Sequence, residues 1–570
     1  MSSKLPGMHE RHGGQLVADA LCAHGVDTVF GVPGESYLAV LEGMHQRRED
    51  SRFIICRQEG GAANMADAYA KLTGKPGVLM VTRGPGATNA SIGVHTAYQD
   101  STPMLVLIGQ VGTQMMDREA FQEIDYRIMY GPITKWTAQV EQVERIPEYI
   151  ARGLQVATSG RMGPVALALP EDVLTHLASV RDTNAFAPAQ ASPGAGQVQA
   201  ISHALDKAKR PLMILGGSGW TTQACQDIAN FAVNNHIPVA CSLRRQDLFD
   251  NNLPNYIGDV GIGINPKLAD RIRNADLLIV LGAKMGEMPS SGYTLLDIPV
   301  PQMKMIHVHP GAEELGRVYQ AEIMINSGMP EIASALAGMK STASKQWTEH
   351  LTTGRAEYEQ WQSRPPVFDA LSKQGKSGVD LWAVMQTLQS KLPNDTIVAN
   401  GAGNFATWAH RFWRYGPMRS QLAPTSGAMG YGVPAAVAAS ICAPDRTVLC
   451  IAGDGDLMMT VQELATARQY GGTPLVIVFN NSMYGTIRMH QERDYPNNIV
   501  GTELTNPDFA SLAEAFGGFG ACVESDDQFA PALDNALKAM AGGQFAMIEI
   551  KVDQQIITPG KTMDEIRGSA

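Results

Sequence analysis

The chain has 570 residues, 44% of them hydrophobic and 18% charged, which is room for three or four domains of ordinary size. A formal charge of −11 argues against nucleic acid or an anionic membrane surface as the main partner. No apolar run approaches the roughly 20 residues that span a bilayer, the polar start Met1-Ser2-Ser3-Lys4 lacks a signal-peptide core, and seven cysteines without a Cys-x-x-Cys pair suit a reducing compartment, with the cytoplasm as the expected location.

Short β-rich runs alternate with helical stretches throughout. Val78 to Thr82, Met104 to Ile108 and Val165 to Leu169 are expected strands of the first third, and Leu212 to Leu215 and Leu277 to Leu281 of the second. Val448 to Ala452, Leu475 to Phe479 and Ala546 to Val552 are those of the last. Stretches without an apolar period separate them: Ala185 to Gln197, then Ser363-Arg364-Pro365-Pro366 with Lys373 to Gly378. The fold class is therefore α/β, with three parallel-sheet α/β domains expected over residues 1–185, 197–362 and 379–570. His307 and His309 alternate on an expected strand and so share a face, with no cysteine or carboxylate at ligand spacing for zinc. His95 reads as a satisfied core histidine. The segment from Ile556 to Ala570 reads either as a lid or as an inert tail.

Two polar clusters close consecutive strands of the last domain, Gly453-Asp454-Gly455 and Asn480-Asn481. The spacing between them leaves room for one strand-helix-strand crossover, so both are expected at the same carboxyl edge, where open α/β sheets bind ligands. A carboxylate and an amide oxygen beside glycine backbone suit a hard divalent cation that itself grips a diphosphate.

With Ser482-Met483-Tyr484-Gly485 these clusters resemble the thiamine diphosphate motif of the acetolactate synthase and pyruvate decarboxylase superfamily. Arg57 to Ala70 resembles the segment that carries its activating glutamate. Thr73 to Val78, Gly84 to Asn89, Asp100 to Pro103, Gly109-Gln110-Val111 and Phe121-Gln122-Glu123 follow in the order that acetolactate synthases show. The resemblance implies first and third domains of one fold, and Glu59 exchanging a proton with the cofactor's aminopyrimidine, shielded by Gly60, Gly61, Ala62 and Ala63. It implies Met429 as the wedge that bends the cofactor and Gly427 as a pyrimidine contact. Gly403, Asn404, Gly453, Asp454, Gly455, Asn481, Tyr484 and Gly485 are the further cofactor residues. Mg²⁺ would be held by Asp454, Asn481 and the Met483 main-chain oxygen. Because Glu59 serves a neighbouring subunit in such enzymes, a homodimer or homotetramer is implied.

Phe121, Gln122 and Lys135 fit the substrate side of acetolactate synthase, but Thr486 and His490 replace the methionine and tryptophan of its acceptor pocket. Lys284-Met285-Gly286-Glu287-Met288 replaces an Arg-Phe-Asp-Asp-Arg segment, and His307-Val308-His309 an acidic position near the flavin, so FAD is left open rather than expected. Glu35 stands where pyruvate decarboxylase-like enzymes have a catalytic aspartate, and Arg83 could pair either with a substrate carboxylate or with Glu35 or Glu59. Met115-Met116-Asp117 fills the place of the paired histidines of pyruvate decarboxylases. The leading expectation is a thiamine diphosphate and Mg²⁺ dependent decarboxylating carboligase on 2-oxo acids, with acetolactate formation from two pyruvates as the nearest reaction. A related 2-oxo acid decarboxylase or 2-hydroxyacyl lyase is the runner-up. A non-catalytic cofactor-binding homologue is disfavoured because Glu59, Asp454 and Asn481 are all present.

Overall fold

Aliphatic runs that are buried on both faces have only one economical arrangement, a parallel sheet covered by helices on either side. The computed structural model describes residues 9–373, 378–416 and 418–568. Met1 to Lys4, Gln374 to Ser377 and the last two residues of the C-terminal segment lie outside these. Among the described residues are three six-stranded sheets, all parallel.

The first sheet contains β1 (Thr28–Gly31), β2 (Arg52–Ile55), β3 (Gly77–Val81), β4 (Met104–Gln110), β5 (Trp136–Gln139) and β6 (Pro164–Pro170) in the order β2-β1-β3-β4-β6-β5. The central sheet contains β7 (Pro211–Leu215), β8 (Val239–Ser242), β9 (Tyr256–Val260), β10 (Leu277–Leu281), β11 (Lys304–His309) and β12 (Ile323–Asn326), ordered β9-β8-β7-β10-β11-β12. This is a doubly wound order with its reversal between β7 and β10. The last comprises β13 (Ile397–Asn400), β14 (Gln421–Leu422), β15 (Val448–Gly453), β16 (Leu475–Asn480), β17 (Phe519–Val523) and β18 (Ala546–Lys551), ordered β14-β13-β15-β16-β18-β17. Its strand order repeats that of the first sheet, so the two share a topology as expected. Every predicted strand is found within a residue or two of its expected ends.

The chain forms two compact units. One comprises Met1–Ala189 with Val437–Cys442 and Gln462–Tyr470, and holds the first sheet. Within it, helices α1 (Glu59–Thr73) and α2 (Pro85–Asp100) pack so closely that a Cβ on Gly93 would lie 2.4 Å from that of Ala63. Lys71 joins their far ends by pairing with Asp67 at 2.8 Å and with Asp100, an ion triad sheltered from water. His95 is exposed on α2 and is not the core histidine expected, because helical phase turns it away from Gly93, which meets Ala63 of α1.

The other unit, Gln190–Ala436 with Ala443–Val461 and Gly471–Ala570, holds the central and last sheets. His307 and His309 share a face of β11 with ring centroids 6.3 Å apart. The His307 ring lies 2.9 Å from the Ala283 carbonyl oxygen, and burial lowers its pKa. Among the described residues no helix is long and apolar enough to cross a membrane. All seven cysteines are unpaired.

Beyond β18 the chain turns back over the last sheet. Ile557, Met563 and Ile566 bury against Met483, with Met489 beside them. Arg567, on the short terminal helix Met563–Arg567, donates to the buried Glu492 carboxylate at 2.7 and 2.9 Å, and Arg488 donates to it at 2.9 Å. These two guanidinium groups, Arg567 first, bring the Glu492 carboxyl down to about 2. Because that is below the ordinary value of about 4.3, the contact contributes stability above the ordinary value and loses it as pH falls through about 2. In Arg567→Ala, amide exchange across residues 556–567 is expected to rise roughly tenfold at neutral pH. In the parent chain the same region is expected to stay protected until pH drops below about 4. Hydrogen-exchange mass spectrometry reads both, and equal protection in parent and variant would show that the clasp contributes nothing.

Candidate functional site

Parallel pairing of β13, β15 and β16 brings their carboxyl ends side by side, with Asn400 opposite Ile451 and Gly453 opposite Phe479. The loops that follow enclose a cavity of about 270 Å³. Gly403, Asn404, Gly427, Met429, Gly453, Asp454, Gly455, Asn481, Tyr484 and Gly485, the ten residues singled out for the cofactor, all line it, together with Met483 and Thr486. Ile556 and Ile557 form part of its wall, so the C-terminal segment covers a face of the cavity instead of trailing away.

Local chemistry explains how the loops reach these positions. Gly455 must lack a side chain, since a Cβ there would meet the Tyr484 ring at 2.6 Å. The buried Asp454 carboxylate accepts from the Gly455 N–H at 3.0 Å and from the Asn506 amide at 2.7 Å, while burial raises its pKa. After β16, Ser482 takes a left-handed φ of 56°, and its N–H donates to the Asn480 side-chain oxygen at 3.0 Å. This Asx turn sets Asn481 and Met483 on the cavity wall. Thr486, expected on the substrate side, closes a two-bond ring with Asn404: its hydroxyl accepts from the Asn404 N–H and donates to the Asn404 side-chain oxygen, both at 3.0 Å. His490, a turn further along the helix Gly485–Asp494, is exposed and does not line the cavity.

Sequence reasoning passed over two residues here. Asp456 is buried and accepts from the Gly430 N–H at 2.8 Å and the Ala402 N–H at 3.3 Å, tying together loops from three places in the chain. Burial pushes its carboxyl up to about 7. Its signal was the second aspartate of Gly453-Asp454-Gly455-Asp456. Asn506 lies 25 residues beyond Asn481 in an unremarkable loop and had no local signal.

The donors gathered at Asp454, Asn481 and Met483 are a carboxylate, an amide oxygen and a main-chain carbonyl. This all-oxygen set fits a hard cation such as Mg²⁺. The glycines at 453 and 455 line the same cavity, with the rings of Phe405 and Tyr484 in the space that a Cβ on either would need.

The first unit carries the remaining expected residues. Glu59 is the first residue of α1, half-buried, and accepts from the Asn89 amide at 3.0 Å. The two peptide N–H groups before it, of Arg57 and Gln58, donate to the buried Glu463 carboxylate at 3.1 and 3.0 Å. Thr466 donates to the same carboxylate at 2.7 Å, and burial raises the pKa of Glu463. Glu35 follows β1 and Arg83 follows β3, so both stand at the carboxyl edge. Arg83 is buried and pairs with Glu35 at 2.7 Å and with Glu171, and donates to the Phe121 carbonyl oxygen at 3.2 Å. The ion-pair alternative for Arg83 is thus the one observed, with Glu171 as an unforeseen partner. Phe121 is exposed, and Gln122, at φ 67°, lays its backbone against Gly84. Lys135 departs from the group: it precedes β5, at the opposite edge, and its ammonium caps the end of the helix Ile146–Thr158 through the Val156 and Ser159 carbonyl oxygens.

Comparison with known proteins agrees with this geometry along most of the chain. Residues 11–129 match the N-terminal TPP binding domain of thiamine pyrophosphate enzymes, 198–336 the central domain, and 401–550 the C-terminal TPP binding domain. The acetolactate synthase isozyme 2 large subunit of Escherichia coli K12 is 29% identical over 97% of this chain and 99% of its own. The acetolactate synthase large subunit of Parasynechococcus marenigrum is 30% identical over 98% and 91% respectively. The mitochondrial acetolactate synthase catalytic subunit of Saccharomyces cerevisiae is 30% identical over 97% and 83%.

Removing the Glu463 carboxylate leaves two N–H groups beneath α1 without their acceptor. Glu463→Ala is expected to lose about 2 kcal/mol or more of stability, with Glu463→Gln intermediate. Urea unfolding measures this, and an unchanged midpoint in the alanine variant would remove Glu463 as the anchor of the Glu59 turn.

Proposed function

Since the chain belongs to the thiamine pyrophosphate enzyme family and is related to acetolactate synthase over nearly its whole length, we propose that it is a carboligase that decarboxylates a 2-oxo acid and joins the acyl unit to a second carbonyl compound. Acetolactate formation from two pyruvates is the nearest reaction. The observation that carries this reading is the single cavity lined by Gly453, Asp454, Gly455 and Asn481 from two adjacent parallel strands.

When bound, thiamine diphosphate supplies the electron sink on which a 2-oxo acid loses carbon dioxide. Asp454, Asn481 and the Met483 carbonyl oxygen hold Mg²⁺ in this reading, and Gly403, Asn404 and Gly455 receive the diphosphate. Met429 and Gly427, on the same cavity wall, would support the cofactor's rings. The Glu59 carboxylate would be the group that exchanges a proton with the cofactor's pyrimidine. The assembly is at least a homodimer, in which Glu59 of one copy serves the cofactor of another. The unpaired cysteines support a cytoplasmic location.

Phe121, Gln122, Thr486 and His490 are assigned to the substrate, whereas Lys135, at the opposite edge of its sheet with its ammonium on the Val156 and Ser159 carbonyl oxygens, has no part. FAD is left open by this reading: at the positions compared with an acidic flavin contact, the His307 ring lies 2.9 Å from the Ala283 carbonyl oxygen and the His309 ring accepts from the Gly311 N–H at 3.0 Å. One observation favours a second reading, release of an aldehyde after protonation. Glu35 is exposed at the sheet edge with Arg83 fixing one of its oxygens, which suits a group that delivers a proton to a bound acyl unit.

Carbon dioxide release and product identity across a panel of 2-oxo acids decide between these. Condensed 2-hydroxy-3-oxo acids support the first reading and free aldehydes the second. Glu59→Gln is expected to lower kcat by about 10²–10⁴-fold, and Glu35→Gln to act strongly only if aldehyde is the product. Undiminished turnover in Glu59→Gln would overturn the proposal.

A further inference from the structure

A divalent cation held by Asp454, Asn481 and Met483 draws its ligands from loops on two different strands, and Mg²⁺ tolerates little error, with oxygen distances of about 2.0–2.1 Å. Some contact must fix the separation of those loops. One side-chain nitrogen spans it: Nδ2 of Asn506 donates to Oδ2 of Asp454 at 2.7 Å and to Oδ1 of Asn480 at 3.0 Å. Resting on the reading just given, we propose that Asn506 is a positioning residue for the cation, holding the Asp454 carboxylate and the Asn480–Met483 turn in register.

The identity of the donor atom follows from its neighbours. Asn480 Oδ1 already accepts from the Ser482 N–H at 3.0 Å and its hydroxyl at 3.2 Å, and Asp454 Oδ2 belongs to a carboxylate, so both groups facing Asn506 are acceptors. Only the NH₂ end of an amide satisfies both at once, with its two hydrogens and no charge. A hydroxyl serves one of them, and a carboxylate serves neither. The carboxylate keeps lone pairs for a cation, since Gly455 and Asn506 take one direction on each oxygen.

The contact is anchored at both ends. The Asn480 amide donates to Glu549, a buried residue of the neighbouring strand β18, so the chain of bonds runs across β15, β16 and β18. Asn506 itself arrives on a segment fastened to the metal turn: the Tyr484 N–H donates to the Thr502 carbonyl oxygen at 2.8 Å, and the Leu504 N–H to that of Ser482 at 2.9 Å. Groups that orient a metal's ligands typically govern its affinity by 10–100-fold when removed.

The test uses the full-length protein with Mg²⁺ and thiamine diphosphate as probes, followed by calorimetry and by the fluorescence of Trp408, which lines the cavity. The readout is the Mg²⁺ concentration giving half-maximal cofactor uptake. Asn506→Ala is expected to raise it by about 10–100-fold, with uptake restored by excess Mg²⁺ and the melting midpoint of the cofactor-free protein little changed. Asn506→Ser, which keeps one donor, is expected to fall between, and carries the same comparison should the alanine variant not fold. Glu503→Ala, on the same segment but exposed, is expected to match the parent. Half-saturation equal to the parent in both Asn506 variants, or a loss that excess Mg²⁺ does not relieve, overturns the assignment while leaving the function standing. A parent protein that takes up neither probe overturns both.

Discussion

Everything at the cavity depends on one constraint, that neighbouring strands run the same way. Parallel pairing of β15 with β16 forces the residues after each to emerge at one edge, and so turns two motifs separated by a helical crossover into spatial neighbours. Reversing either strand would send Asp454 and Asn481 to opposite ends of a sheet. The polar loops can be elaborate because the strands beneath them are plain: β15 and β16 are fully buried along their length, and their packing alone holds the platform.

Each loop is then set by acceptors fixed in buried positions. Asp456, Asp454 and Asn480 in the last sheet each gather main-chain or amide N–H donors from more than one part of the chain, and Glu463 beneath α1 gathers the adjacent Arg57 and Gln58 N–H groups with the Thr466 hydroxyl. Buried oxygens with several donors hold backbone in place better than apolar contact does, since each bond is directional and leaving it unmade is costly. All three of these carboxyls are raised by burial despite their donors, so desolvation outweighs the hydrogen bonds at Asp454, Asp456 and Glu463.

Much of this was legible in the sequence. The long aliphatic strands announce themselves through runs such as Met104 to Ile108, and the glycine motifs give the edge of the sheet at which ligand residues gather. Short strands such as Gln421–Leu422 carry too few residues for any period to show. Residue-type matching misled at Lys135, because being adjacent to a motif in the chain does not say at which end of a strand a side chain will stand. His95 failed for a related reason, as helical phase against α1 decides exposure and the motif nearby does not. Asn506 and Glu463 were silent because their partners lie in distant segments, and a single polar residue in a loop carries no record of what it will touch.

The segment Gln462–Tyr470 lies late in the sequence yet clusters with the first unit, where Glu463 receives the N–H groups ahead of α1 and the Tyr470 hydroxyl accepts from Ile55. Synthesis runs from the amino end, so the first sheet leaves the ribosome long before this piece of its own support. The turn bearing Glu59 must wait, with its amides hydrated, until about four-fifths of the polypeptide has been made. A fragment cut after the first sheet would retain the strands and lose the late-arriving anchor, so the amino-terminal part of this protein is not a module that can be lifted out and transplanted by itself.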